Sequence, residues 1–237
     1  VRKLVVTPVS AAQQTALRYG DWEISRREIV ERASGGRFGY LHLRAMGQAD
    51  IASFARDFYA QVDKDGLIID VRRNNGGNID SWIIEKLLRR PWAFWAPHGS
   101  LPYTNMQQTF RGRLVVLTDQ LTYSDGETFS AGIKALGLGP LIGARTAGAG
   151  VWLSDSTGLA DGGRARVAEH AQYLVDGGKW AVEGVGVAPD IEVENLPHAS
   201  FQGQDAQLEA AIANLKQQLA EKPVPALKPQ GIPPLAR

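Results

Sequence analysis

The sequence predicts an α/β domain organised on a mostly parallel sheet, and three observations carry that prediction. Residues 38–43, 66–71 and 113–118 are short apolar runs, the last two rich in β-branched side chains, as suits strands buried on both faces. Each is followed by apolar residues at helical spacing: Ile51, Phe54, Phe58 and Val62; Ile79, Ile83 and Leu87; Phe129, Ile133 and Leu136. The last two connections, Arg72-Arg-Asn-Asn-Gly-Gly-Asn78 and Leu121-Thr-Tyr-Ser-Asp-Gly-Glu-Thr128, carry polar residues and glycines. Successive strand–loop–helix units bring such loops to one edge of a parallel sheet, where ligands bind.

In chain order, residues 1–10 read as a single strand without an evident partner. Residues 1–20 are therefore assigned to the end of a preceding domain and its linker, and residues 21–220 to the main domain. A short amphipathic helix is expected over 21–34, with Asp21 as N-cap and Gly35 as its stop. Trp92-Ala-Phe-Trp95 is dense in aromatics, which reads first as core packing. Leu208, Ile212, Leu215 and Leu219 define a last amphipathic helix. Residues 221–237 hold five prolines and no periodicity, which suggests a flexible or polyproline-like tail able to act as a strap.

Bulk properties exclude several classes. The 26 basic and 25 acidic residues leave a net charge of +1, so neither nucleic acid nor a membrane is expected as partner. No apolar run reaches bilayer-spanning length, and no signal-peptide pattern is present. A cytoplasmic location is expected, or a periplasmic one if the full-length chain carries a signal peptide. The absence of cysteine excludes disulfide and thiol chemistry.

Ser124 falls where a strand ends and a helix begins. Its hydroxyl suits either a helix N-cap or a nucleophile held on a tight turn. Gly76 and Gly77 allow close backbone approach to a ligand, although the pair also suits an ordinary turn. If both loops share an edge, the amides of Gly77 and Asp125 form a two-donor oxyanion hole. The Asp125 carboxylate, in the first turn of the following helix, is read as favourable to that helix's dipole. Tyr123 and Glu127 are read as supports of the turn.

Three ordered blocks carry a family resemblance: Gly66-Leu-Ile-Ile-Asp-Val-Arg-Arg-Asn-Asn-Gly-Gly77, Tyr123-Ser-Asp-Gly-Glu127 and Val182-Glu-Gly-Val-Gly-Val-Ala-Pro-Asp190. Together they resemble the catalytic domain of tricorn-type serine peptidases, relatives of the C-terminal processing peptidases, over about residues 37–220. The resemblance implies a Clp-protease/crotonase-like β-β-α superhelical spiral, preceded by a fragment of a PDZ domain. It implies Ser124 as nucleophile, Gly77 and Asp125 as oxyanion donors, Gly76 beside the substrate, and Glu183 as the acidic member of a Ser–His relay. The histidine base, with an auxiliary serine, precedes the PDZ domain in this family and lies outside the present chain.

His42, in mid-strand, is expected to be satisfied by its neighbours, and His98, His170 and His198 carry no motif. Gly148-Ala149-Gly150 stands where Ser–Lys members of the superfamily place a lysine, which disfavours that mechanism. Trp95 aligns with an acidic residue that reads basic substrate side chains in the archaeal enzyme, so apolar residues are expected at that subsite. Peptides as substrates, a homo-oligomeric state and the absence of metal or cofactor are implied as well. Two other classes stay open: a crotonase-like acyl-CoA enzyme, separable by fluorophosphonate labelling, and a non-catalytic assembly module on the same fold.

Overall fold

The computed structural model describes residues 2–227, with positions 155 and 156 described by backbone alone. Five parallel strands form the central sheet, in the order β1 (Phe38–His42), β2 (Gly66–Asp70), β5 (Arg113–Thr118), β6 (Leu141–Gly143) and β9 (Ile191–Glu192). Two small antiparallel pairs lie outside it, β3 (Phe94–Trp95) with β4 (Tyr103–Thr104), and β7 (Trp152–Gly158) with β8 (Arg164–His170).

Side-chain alternation divides the core into two layers. Leu41, Leu67, Ile69 and Val116 point to the face covered by α2 (Asp50–Tyr59), α3 (Asp80–Leu88) and α4 (Asp125–Ala135), where Phe54, Phe58, Ile83, Phe129 and Ile133 meet them. Tyr40, Ile68, Val115 and Leu117 point to the opposite face, against Val30 of α1 (Ala11–Ser34) and Leu208, Ile212 and Leu215 of α6 (Ala206–Glu221). With both faces covered, the strands need unbroken apolar runs, and those runs are what makes them visible in sequence. A short helix, α5 (Pro197–Phe201), precedes α6.

The start of the chain differs from expectation. Residues 2–10 form no strand, and α1 begins at Ala11 rather than at Asp21. The start is fixed by a capping box, in which Gln13 N–H donates to Ser10 Oγ (3.2 Å) and Ser10 N–H to Gln13 Oε1 (2.9 Å). The stop is as expected, with Gly35 left-handed at φ 60°.

Beyond α6, the first residues of the tail lie as a strap. Arg113 Nη2 donates to the Lys222 carbonyl at 2.7 Å and Arg111 Nη2 to the Pro225 carbonyl at 2.6 Å. Residues 228–237 fall outside the described chain. The strap walls a cavity of about 1130 Å³ with Phe94, Phe110, Leu114 and Pro140. Arg113 and Leu114 are the first two residues of β5 and Pro140 precedes β6, so this cavity sits at the amino edge of the sheet.

At the carboxyl edge a buried ionic cluster joins β2 to both helices of the second face. Arg72 bonds Asp70 (2.6 Å), Asp205 (2.8 Å) and Gln207 (3.0 Å), while Tyr40 donates to Asp70 at 2.8 Å. Asp205 also accepts from Asn195 (2.9 Å) and lies 3.5 Å from Arg26 of α1. Burial alone would push the Asp205 carboxyl up, but the hydrogen bonds and charge of Arg72 outweigh it and hold it at about 2.

A carboxyl with a depressed folded-state value contributes stability that is present above its unfolded value near 4 and lost as pH falls towards 2. Asp205→Ala strands the buried guanidinium and removes the side-chain cap of α6, so a loss of roughly 3–5 kcal/mol is expected at pH 7. Urea melts at pH 7 and pH 2.5 check this, since the variant's deficit should shrink at the lower pH.

Candidate active site

β2 and β5 are neighbours, with Ile69 paired to Val116 and Asp70 to Leu117, so both loops leave the sheet at the same edge. The β2 loop is held by Asn74, which is fully buried. Its Nδ2 donates to the Leu43 carbonyl (2.6 Å), its Oδ1 accepts from Gly76 N–H (2.8 Å), and its carbonyl accepts from Tyr123 N–H (3.0 Å). One asparagine thus ties its own loop to β1's extension and to the serine turn. Asp119 adds a second tie, accepting from Arg73 N–H at 2.9 Å and from Leu121 N–H at 3.1 Å.

The two glycines have separate reasons. Gly76 has φ 82° and abuts the serine: a Cβ there would stand 2.6 Å from Ser124 Cβ and 2.9 Å from its Oγ. A Cβ on Gly77 would collide with the Met46 carbonyl. Met46 N–H donates to the Gly76 carbonyl and Met46 C=O accepts from Asn78, which leaves Gly77's own N–H directed away from Met46, as in any parallel bridge.

Ser124 is half-buried at the N-terminus of α4 with φ 53° and ψ −118°, a strained conformation for a residue with a Cβ. Glu127 N–H donates to the Ser124 carbonyl at 2.9 Å, closing the turn. Glu127 holds the turn from inside. Its fully buried carboxylate accepts from the N–H groups of Ser124 (3.1 Å), Gly148 (2.6 Å) and Ala149 (2.8 Å) and from Thr146 Oγ1 (2.6 Å). Glu127 is thus the support of the turn that its position implies, and the Ser-x-x-Glu spacing of a capping box is the local signal for it.

Asp125 serves a different helix from the one expected. Its buried carboxylate turns away from α4 and accepts from the N–H groups of Ile79 (2.8 Å) and Asp80 (3.1 Å), at the start of α3. Ile79 cannot cap its own helix, so the acid is supplied from the neighbouring turn. Burial, and then the nearby charge of Asp80, push the Asp125 carboxyl up to about 7. Among the described residues, neither Gly77 N–H nor Asp125 N–H meets an acceptor.

Glu183 holds the continuation of the loop that Glu127 grips. Its Oε2 accepts from Gly150 N–H (2.9 Å) and Val151 N–H (2.8 Å), directly after the two amides held by Glu127. The carboxylate is exposed and does not bond Ser124.

Trp95 lies on a separate element. It pairs with Tyr103 on the small β3–β4 ribbon and is 56% exposed, and its neighbour Phe94 lines the cavity at the other sheet edge.

No histidine or lysine is hydrogen-bonded to Ser124 among the described residues. His42 is engaged at both ring nitrogens, with Tyr19 Oη at 2.8 Å and the Arg72 carbonyl at 2.9 Å. A carbonyl only accepts, so Nε2 carries the proton and Nδ1 accepts from Tyr19. Among the described residues no group of three His, Asp or Glu side chains converges as a metal site, and no helix is long and apolar enough to cross a membrane.

Known proteins place the chain in a family. Residues 37–193 match the model of peptidase family S41. Tricorn protease homolog 1 of Streptomyces coelicolor is 39% identical over 98% of this chain, and the tricorn protease of Thermoplasma acidophilum is 38% identical over 86%. The chain spans about a fifth of the length of each, 21% and 19%. A crystal structure of the tricorn protease superposes with a TM-score of 0.80 at 36% identity, covering 86% of this chain and 20% of that one. A photosystem II D1 C-terminal processing protease shares the fold, with a TM-score of 0.52 at 22% identity over 75% of this chain and 46% of its own. A strained serine turn against a glycine loop, together with this match over most of its length, identifies the chain as a member of peptidase family S41.

Proposed function

We propose that this chain is the nucleophile-bearing part of a tricorn-like serine endopeptidase. The observation that carries the proposal is the half-buried Ser124, on a strained turn packed against Gly76, between two loops whose Gly77 N–H and Asp125 N–H meet no acceptor among the described residues. Ser124 Oγ attacks the scissile carbonyl, and the oxygen that becomes negative is received by those two amides. The tetrahedral intermediate collapses to an acyl-enzyme as the amine leaves, and water then releases the acid and restores the hydroxyl. The histidine that takes and returns the proton is supplied by an upstream segment of the longer protein, with Glu183 as the acidic member of its relay. The finer architecture belongs to the same proposal: a β-β-α superhelical spiral, a PDZ domain before the peptidase domain, and a homo-oligomeric parent enzyme. Trp95 as a substrate subsite rests on the sequence match alone.

A hydroxyl without a base is a poor nucleophile, and removing the histidine of a serine triad costs on the order of 10⁶ in turnover. This chain purified alone is therefore expected to fold and to show at most residual peptidase activity. Activity should return when the upstream segment is present, covalently or in trans, and vanish again with Ser124→Ala. Peptide turnover by the three samples is the measurement, and activity surviving Ser124→Ala would sink the serine reading.

Gly76→Ala places a methyl group inside the Ser124 contact at a φ that disfavours it, so a loss of about 100-fold or more in kcat is expected in the longer enzyme. A wild-type rate in that variant would show that the contact has no part in catalysis. With Trp95 in place of an acid, a fluorogenic peptide panel should favour apolar over Lys or Arg side chains at one subsite. The opposite preference would remove Trp95 from the site.

A further inference from the structure

We infer that the Asp125 side chain is a positioning residue for the oxyanion hole, fixing the Gly77 donor relative to its own backbone N–H. The inference rests on the serine-peptidase reading above and adds a task for a side chain to which that reading gives none.

An oxyanion hole built from two loops works only if its donors keep their separation within about 0.5 Å. Upstream of Gly77 the separation is set by Asn74, whose carbonyl takes Tyr123 N–H, and by the contact of Gly76 with Ser124. Downstream, the side-chain tie from the serine turn is Asp125 Oδ2, which receives both Ile79 N–H (2.8 Å) and Asp80 N–H (3.1 Å). Gly77 is thus clamped between two anchors, and the second belongs to the residue that carries the other donor. Asp125 is only 4% exposed, so water cannot replace its carboxyl as acceptor at little cost.

The charged group facing this carboxyl is Asp80 of α3; on its own helix, Glu127 is spent on Ser124 N–H and residues 146–149. No basic side chain pairs with it among the described residues. Oδ2 can accept both N–H groups whether or not the other oxygen is protonated, so the strut depends on reach rather than on charge. Burial beside Asp80 raises the folded-state value to about 7, which gives an independent thermodynamic signature. An acid raised in this way contributes stability that is complete below its unfolded value near 4 and lost as pH rises through about 7.

The test uses the longer enzyme with its histidine-bearing segment and four variants: Asp125→Ala, Asp125→Asn, Asp125→Glu and Ser124→Ala. Asp125→Ala should lower kcat on the order of 10–100-fold with little change in KM. Asp125→Asn, which keeps the acceptor at the same reach, should restore kcat to near the wild-type rate. Asp125→Glu, which keeps the charge but lengthens the strut, should fall below Asp125→Asn, and this pair decides the matter should the alanine variant fail to fold. Thermal melts should show wild-type stability declining between pH 4 and 7, with Asp125→Asn lacking that decline. A wild-type kcat for Asp125→Ala, an effect on KM alone, or an asparagine variant worse than the glutamate one would each overturn the inference. Full activity of Ser124→Ala would instead overturn the peptidase reading, while the melts would still report on the carboxyl.

Discussion

The contact between Gly76 and Ser124 is the constraint on which the rest of the site depends. Two adjacent parallel strands bring their loops to one edge, but adjacency alone leaves several ångströms of latitude. That latitude closes because the β2 loop presents bare backbone to a serine held at positive φ. Such strain costs on the order of 1–3 kcal/mol and persists only where surroundings over-determine it. Here the surroundings are Asn74 from one loop, Glu127 from inside the helix, and Thr122, whose Oγ1 donates to the Val71 carbonyl at 3.0 Å. The turn is therefore an instrument of the sheet, set by its hydrogen-bonding neighbours rather than by Ser124 itself.

Much of this was legible in the sequence, and the reason is physical. Strands buried on both faces leave apolar runs with no alternation, so 66–70 and 113–118 stand out, and strand–loop–helix repetition then fixes which edge carries the loops. Gly76 and Gly77 stand out as adjacent glycines, and the space explains them: a Cβ on the first would meet the Ser124 side chain, and one on the second the Met46 backbone. What sequence could not show is where a carboxylate points. Asp125 follows the serine in the chain, and first-turn position suggests service to its own helix; in space the nearest unsatisfied N–H groups belong to α3. Such cross-element pairing depends on how α3 and α4 pack, which local pattern does not encode.

The start of the chain illustrates the opposite failure. Residues 2–10 contain β-branched residues, so local propensity argues for a strand, yet a strand needs a partner edge and no described strand pairs with them. The capping box at Ser10 and Gln13 then starts the helix at Ala11, well before an acidic cap at Asp21 would have done. Trp95 marks another limit. Alignment by motif associates it with the substrate, whereas within this chain its ribbon lies by the cavity at the far edge of the sheet.

Arg72 lies two residues past the end of β2 and two before Asn74, and its guanidinium is shared among Asp70 of the sheet, Asp205 and Gln207 at the head of α6, with Trp22 of α1 5.9 Å from it. Its carbonyl holds His42, which holds Tyr19 of α1. Neither helix can lift from the sheet by itself without leaving a buried ion short of partners, at a cost of several kcal/mol. Partial openings that would free α1 or α6 alone are thereby suppressed, and the two helices, the sheet edge and the root of the glycine loop melt as one cooperative unit.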